Sequence, residues 1–561
     1  MLDPSFAAAL LGQASPEQVR VSVARLLPAS ATAAEKVRAI EAALRSPLGQ
    51  MLRGELGRWI VEQVVPVEAL VPKEYLNWRP PVRDAMLFVI SRLSDARLAP
   101  KILEQIELPL NTPPEARLLR LIAKVPGLQK LGQVIARNRF LSPSLRKALS
   151  ELENGIHDVQ AAEMCAIVEE ELGERIKKFD VRLEPAILSE ASVSAVVRFT
   201  WRNPQRASDA VAFAGATGER QQSVFKVLKP YIPACFSEDM DMLQGLAEYF
   251  GSKSHEYGIA KDVLTDTFTK VRRLLQHETH FLGEQKTLLE AFPLYRSMPR
   301  VRVPRVFPRL CTAKVTAMSE ESGIKVTEAV ADMPDWRRAQ VAERLIEALV
   351  VVPLFAAQKS ALFHADPHAG NLFYDQRKGD LIILDWALTE RLTREQRRHM
   401  ALLVCMAGLR DRVGVCNQIQ ALAQGPVSRN SWQARTIREI AAAYLDKLPL
   451  KRVPGAVDAM RLLQQTAGQG IRFPSSLIML SKVLFTLDGV IGDIRATGVS
   501  MAYSVARHAL QNWLTSGTAA GPLTAKDLLA VQCSAMFYGS RLSIRLEQAL
   551  LDRLLSRAAR A

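Results

Sequence analysis

The feature that most constrains this chain is the place where its hydrophobic pattern changes period. In residues 33–44 and 82–93 apolar side chains recur at helical spacing. Breaks fall near Pro66, Pro72, Pro80, Pro81, Pro113 and Pro114, so residues 1–125 read as a run of short helices. Helix-forming sequence continues from Pro126 to Glu171. Between 181 and 230 the texture turns to Val, Phe, Ser and Thr, and residues 194–201 (SAVVRFTW) and 223–229 (SVFKVLK) predict strands on either side of a turn at Gly215–Gly218. A single helical pattern runs from 262 to 292, short strand-like pieces return at 301–318, and from Pro334 the chain reads as helix. The exception is 371–386, where NLFY and LIILDW flank the polar turn DQRKGD as a small hairpin. Helices, a strand-rich unit holding one long helix, then a helical unit holding one hairpin: that order predicts a segregated α+β chain of two lobes.

Composition removes several classes. At 561 residues the chain has room for three or four domains of about 150 residues. Apolar residues at 48% and charged residues at 23% are ordinary for packed domains and exclude a disordered or collagen-like chain. The formal charge of +15 would suit nucleic acid or an anionic membrane surface. No zinc-finger spacing or aromatic RNA-binding pattern accompanies it, so no nucleic-acid partner is expected. The six cysteines form no CxxC pair, which predicts reduced, buried thiols and a cytoplasmic setting. The start, MLDPSFAAALLGQASPEQ, lacks the features of a signal peptide. The longest apolar run, 348–357, is about half of the ~20 residues a membrane span needs, so no transmembrane helix is expected.

The chemistry concentrates at His364-Ala365-Asp366-Pro367-His368-Ala369-Gly370-Asn371, which follows an apolar helical stretch, 336–362, and leads into the hairpin. Asp366, Asn371 and, at the end of the second hairpin strand, Asp385 form the set that phosphoryl transfer requires. One carboxylate orients the attacking hydroxyl, while an amide and a second carboxylate hold Mg²⁺ against nucleotide phosphates. Antiparallel pairing of the hairpin strands brings Asn371 and Asp385 to the same end. Two other readings stand beside it: a zinc site built on His364, Asp366 and His368, and a Pro/Gly loop whose polar residues merely close a turn. A nucleotide lobe also needs a strand Lys and a helix Glu, and Lys226 and Glu284 occupy those positions in order. No G-x-G-x-x-G precedes Lys226. The stretch in its place, 189–195, offers small residues including Ala191 and Ser192.

With these motifs the chain resembles the UbiB/AarF family of atypical kinases. His364–Asn371 is close to H-x-D-P-H-P-G-N, with Ala369 for the second Pro. Lys130-Leu131-Gly132-Gln133 matches K-x-G-Q, residues 189–192 fall where the family has an Ala-rich loop, and residues 481–490 (SKVLFTLDGV) resemble the end of its C-lobe. The similarity covers roughly 126 to 495. It implies a protein-kinase-like fold divided as a helical extension (1–125), a K-x-G-Q segment (126–180), an N-lobe (181–320), a mostly helical C-lobe (321–505) and terminal helices (506–561). It implies ATP and Mg²⁺, with Lys226 on the phosphates, Glu284 paired to it, Asp366 as catalytic-loop acid, and Asn371 and Asp385 as metal ligands. Ala191 and Ser192 would lie over the phosphates, and Met318 to Glu321, Glu320 included, would form the hinge near adenine. Lys130 and Gln133 would belong to the helical segment that folds over the site, and Glu278, of the family's E-x-D motif, would join them in binding the cofactor. ATPase-like chemistry supporting isoprenoid-quinone lipid metabolism is the implied activity.

The departures are specific. The E-x-D motif becomes Glu278-Thr279-His280, Glu190 would place a negative charge near the phosphates, and D-F-G becomes Asp385-Trp386-Ala387, a D-W also usual in aminoglycoside- and choline-kinase-like enzymes. Two rival functions follow: a small-molecule phosphotransferase, and a degenerate scaffold whose N-terminal helices recruit a protein partner. Residues 541–561 set Leu546, Leu550 and Leu554 beside Arg545, Arg553, Arg557 and Arg560. They read first as a helix packed on its own protein, and second as a peripheral contact with an isoprenoid-bearing or anionic membrane face.

Overall fold

The computed structural model describes residues 14–15, 17–19, 21, 30–135, 143, 147, 149, 158–202, 220–258, 261–296, 298–425, 427–428, 430–449, 454–496, 499, 501, 503–505, 507–508 and 521–540. The turn expected at Gly215–Gly218 and the tail 541–561 lie outside them. The chain is α+β and divides into two units, one of Met1–Leu282 with Phe307–Met318, the other of Gly283–Val306 with Ser319–Ala561. Among the described residues the strands are β1 (Arg182–Glu190), β2 (Ser194–Trp201), β3 (Gln221–Leu228), β4 (Val301–Arg302), β5 (Val315–Ser319), β6 (Ile324–Lys325), β7 (Ser360–His364), β8 (Leu372–Asp375), β9 (Asp380–Ile383) and β10 (Thr389–Thr393).

In the first unit, local signals set the helix ends. Thr32 and Glu35 form a reciprocal capping box ahead of Ala33–Arg45. Ser46 then caps Pro47–Trp59, whose proline sits where a helix tolerates it. The helices Arg79–Arg92, Asp95–Glu107, Pro114–Ile122 and Pro126–Ile135 follow. They share one core with Ile232–Tyr257 and Lys261–Thr279, in which Trp59, Ile60, Leu98, Leu243, Val271 and Leu275 are almost wholly buried. Each such side chain contributes about 1.5–3 kcal/mol of transfer free energy.

The sheet of this unit runs β1-β2-β3-β5, with β1, β2 and β3 antiparallel. Its inner face carries Phe199 stacked on Phe225 at 3.7 Å and Trp201 against Phe307 at 4.8 Å. Met164, Val168 and Leu172 of Ala161–Leu172 lie in the same core.

Two expectations need correction here. The helix expected over 262–292 is two helices, Lys261–Thr279 and Phe281–Arg296. The Thr279 hydroxyl turns back onto the Leu275 carbonyl, and the His280 N–H closes a tight turn onto His277, which ends the first helix. The 26-residue helix Ile232–Tyr257 was not expected at all, because Gly245, Gly251, Ser252 and Ser254 give it the texture of a loop. Gly245 is there for space: a Cβ would come within 2.9 Å of the Phe88 ring.

The second unit holds Asp335–Ile346, Arg394–Gly408, Arg412–Leu422, Trp432–Lys447, Ala456–Gly468 and Ser475–Asp493 with two small sheets, β4-β9-β8-β6 and β7-β10. The helical stretch expected through residue 362 ends at Phe355, and 360–364 is strand β7. The cause is Arg397, fully buried, whose guanidinium takes the carbonyls of Ala356 and Gln358 and holds the connection out of helix. Ser475–Asp493 is the one described helix long and apolar enough to cross a membrane. Half of that window is buried within the protein, and Leu480, Val483, Leu484 and Leu487 place it in the core of this unit.

Candidate active site

Strand β7 delivers His364 into the interior, where its ring is 1% exposed. The backbone N–H of Asp366 donates to His364 Nδ1 at 3.2 Å, so the ring proton sits on Nε2. From there it is shared between the carbonyls of Asp385 at 2.9 Å and Leu384 at 3.1 Å. Burial pushes the imidazole pKa down, and the ring is neutral. Both nitrogens are therefore committed. His368 Nδ1 is likewise taken by the Gly370 N–H at 3.1 Å. With both nitrogens of His364 bonded, the zinc reading of the H-x-D-x-H cluster loses one of its three ligands.

The Asn371 side-chain N–H donates to the Asp366 carbonyl at 3.1 Å, and the Asn371 carbonyl accepts from Leu384 N–H at 2.9 Å. Leu372 pairs with Ile383 in the hairpin, which sets Asn371 and Asp385 at the same end. Asp385 itself has φ +54°, a left-handed conformation that a short polar residue tolerates. That twist ends β9 and lets the carboxylate accept from Ala387 N–H at 3.3 Å. Trp386 locks the turn from behind: it is 1% exposed, edge-on to His364 at 5.1 Å and to Tyr295 at 5.7 Å. Thr287 ties the helix Phe281–Arg296, which carries the buried Glu284, to the Trp386 carbonyl at 2.8 Å.

Asp366 has a partner that sequence reasoning missed. Lys482, on Ser475–Asp493, places Nζ 2.8 Å from Asp366 Oδ1, while His368 Nε2 stands 3.7 Å from Oδ2. Burial raises the pKa of Asp366, but the Lys482 ammonium and His368 outweigh it and hold the carboxyl below its ordinary value. The available signal was a lone cation in the apolar run SKVLFTLDGV.

The structure places Lys130, Gln133, Ala191, Ser192, Lys226, Glu278 and Met318 in the first unit, and Glu284, Glu320, Asp366, Asn371 and Asp385 in the second. Lys226 lies mid-strand on β3 opposite Val196, its ammonium 5.6 Å from the Phe281 ring centre. Lys130 is ion-paired with Glu278, which also accepts from the Ser192 hydroxyl at 3.2 Å. Glu278 thus links the K-x-G-Q helix to the loop that replaces a Gly-rich one. That loop is shorter than expected, since Ser189 and Glu190 are the last residues of β1 and only 191–193 turn.

Glu190 corrects a second expectation. Its side chain is turned inward, 2.8 Å from Lys229 Nζ, and it accepts the Asp158 N–H at 2.9 Å. The charge expected near the phosphates is buried in an ion pair with Lys229. Glu321 is likewise engaged, by Arg302 at 3.0 Å and the Ser319 hydroxyl at 2.7 Å.

The comparisons with known proteins agree with these motifs. Residues 151–419 match the ABC1 atypical kinase-like domain. "Protein ACTIVITY OF BC1 COMPLEX KINASE 7, chloroplastic" of Arabidopsis thaliana is 26% identical over 65% of this chain and 50% of its own length. A "Probable protein kinase UbiB" of Pseudomonas fluorescens is 25% identical over 65% of each. The Synechocystis protein sll1770 is 24% identical over 66% of this chain and 60% of its own. The chain thus spans only half to about two thirds of these relatives. A solved structure of Rv3197 with erythromycin from Mycobacterium tuberculosis aligns at TM-score 0.42 and 14% identity over 67% of this chain and 90% of that one, too distant for residue-level comparison. Residues 151–419 thus match the ABC1 atypical kinase-like domain, and the chain is similar to proteins named UbiB.

Proposed function

We propose that the protein binds ATP with Mg²⁺ and transfers or hydrolyses the terminal phosphoryl group, in support of isoprenoid-quinone or other lipid metabolism at the cytoplasmic face of a membrane. The observation that carries the reading is the bonded loop of the second unit, in which Asp366, Asn371 and Asp385 are held to one another through backbone and His364.

The residues fit a magnesium ion that arrives with nucleotide. Asn371 spends its amide N–H on Asp366, which leaves the amide oxygen as its cation ligand. Asp385 supplies one carboxylate. Mg²⁺ is commonly held by one or two carboxylates plus substrate phosphates, so a larger protein cage is not required. Bound there, the ion would offset charge on the phosphate oxygens. Asp366 orients the attacking hydroxyl or water and takes its proton late in the transfer. Lys226 would hold the phosphates, with Glu284 orienting it, and the Lys130–Glu278–Ser192 chain would set the position of the loop over them.

Thermal-shift titration tests this with ATP, ADP and GTP, each with and without Mg²⁺. A ligand that binds only the native state raises its melting temperature. The expected result is a rise with Mg-ATP that is lost without the metal. No shift with any nucleotide would end the reading. Lipid-stimulated turnover that needs no soluble hydroxyl acceptor separates the UbiB-type activity from a small-molecule phosphotransferase.

A further inference from the structure

The segment His364–Asn371 contains no Lys or Arg, although the transferred phosphoryl group is anionic on every face. A cation reaches Asp366 from 116 residues further along the chain. Lys482 lies on a half-buried helix, between buried Ser481 and buried Val483. Its side chain keeps 30% exposure, and that of Asp366 keeps 25%. Among the described residues Lys482 meets a single carboxylate, and an ammonium has three N–H donors. A rigid core helix is a better platform for such a charge than a loop.

We propose that Lys482 is a catalytic residue of the phosphoryl transfer: one of its N–H groups holds Asp366, and another bonds an equatorial oxygen of the phosphoryl group in flight. The proposal rests on the Mg-nucleotide reading of Asp366, Asn371 and Asp385. With water as acceptor, a water oxygen bonds the γ-phosphorus as the bond from that phosphorus to the bridging oxygen breaks. The electron pair leaves on ADP, the water proton passes to Asp366 and on to solvent, and the products are ADP, phosphate and a proton. In the loose transition state charge is spread over the three equatorial oxygens, and an ammonium whose bond to one of them forms only in the transferring geometry stabilises the transition state more than bound ATP.

The test uses the full chain and reads both Mg-ATP affinity by calorimetry and ADP formation. Lys482→Met keeps the Kd within about threefold and lowers kcat by about tenfold or more. Lys482→Arg, which retains the charge, recovers most of the loss. In an Asp366→Asn background, Lys482→Met lowers turnover again, because the lysine acts on the phosphoryl group and not only through the aspartate. No further loss in that background, or an unchanged kcat in the single variant, overturns the proposal. If Lys482→Met does not fold, Lys482→Gln carries the same comparison. A wild-type protein that binds Mg-ATP but forms no ADP overturns the role of Lys482 alone, and one that binds no Mg-ATP overturns the parent reading.

Discussion

Two lysines in this molecule meet carboxylates at the same distance and do opposite things. Lys229, in the first unit, is wholly buried, 2.8 Å from both Asp158 and Glu190, and Tyr231 adds a hydroxyl to Asp158 at 2.9 Å. Every charge in that cluster is answered, and the Lys229 and Glu190 side chains are closed off from solvent. Lys482, in the second unit, meets Asp366 alone among the described residues and stays partly open. A saturated buried network fixes structure, because removing one member strands the others. A half-exposed pair with unused donors contributes little to stability and is available for chemistry. Burial and donor count separate the two where distance cannot.

The largest expected effect breaks this contrast most directly. Lys229→Met strands two buried carboxylates and should cost about 3–5 kcal/mol in urea unfolding, against about 0–1 kcal/mol for Lys482→Met. Equal costs would show that the first cluster is not the structural one. Next comes His364→Phe, which fills the space but leaves the Asp366 N–H and the Asp385 carbonyl without their partner. A loss of about 1–3 kcal/mol is expected, together with weaker Mg-ATP binding by calorimetry. A variant as stable and as tight as wild type would detach His364 from the site.

The smallest effects are in pH. Arg398 and Thr524 hold Asp527 of the second unit at about 2, so the stability this contributes is present above the usual 3.8 and is lost as pH falls toward 2. Lys101 of the first unit is pushed down to about 8 by burial. The unfolded chain then binds the extra proton between about 8 and 10.5, and stability rises with pH across that window. Melts of wild type against Arg398→Met in acid, and of wild type against Lys101→Met between pH 7.5 and 10, should show these two contributions, each of which makes the stability of the wild type rise with pH. Parallel curves for either pair would refute the assignment.

Much of this was legible because it is local. Alternation in SAVVRFTW gave β2 to the residue, and NLFY–DQRKGD–LIILDW gave the hairpin that brings Asn371 beside Asp385. What was not legible depends on partners far along the chain. The end of the helix at Phe355 is set by Arg397, the glycine at 245 within the helix Ile232–Tyr257 is required by the Phe88 ring, and the inward turn of Glu190 is set by Lys229. Lys482 belongs with these: within its own helix it is an ordinary polar interruption, and only the fold sets it on Asp366.

The central claim is that Asp366, Asn371 and Asp385 form a magnesium-nucleotide site. Calorimetric titration of Mg-ATP into the wild-type chain and into Asp385→Asn tests it most directly. The account predicts saturable binding by the wild type and loss of at least about tenfold in affinity, near 1.4 kcal/mol, in the variant, with its melting temperature preserved. Equal affinity in the two proteins, or no binding to either, would contradict it.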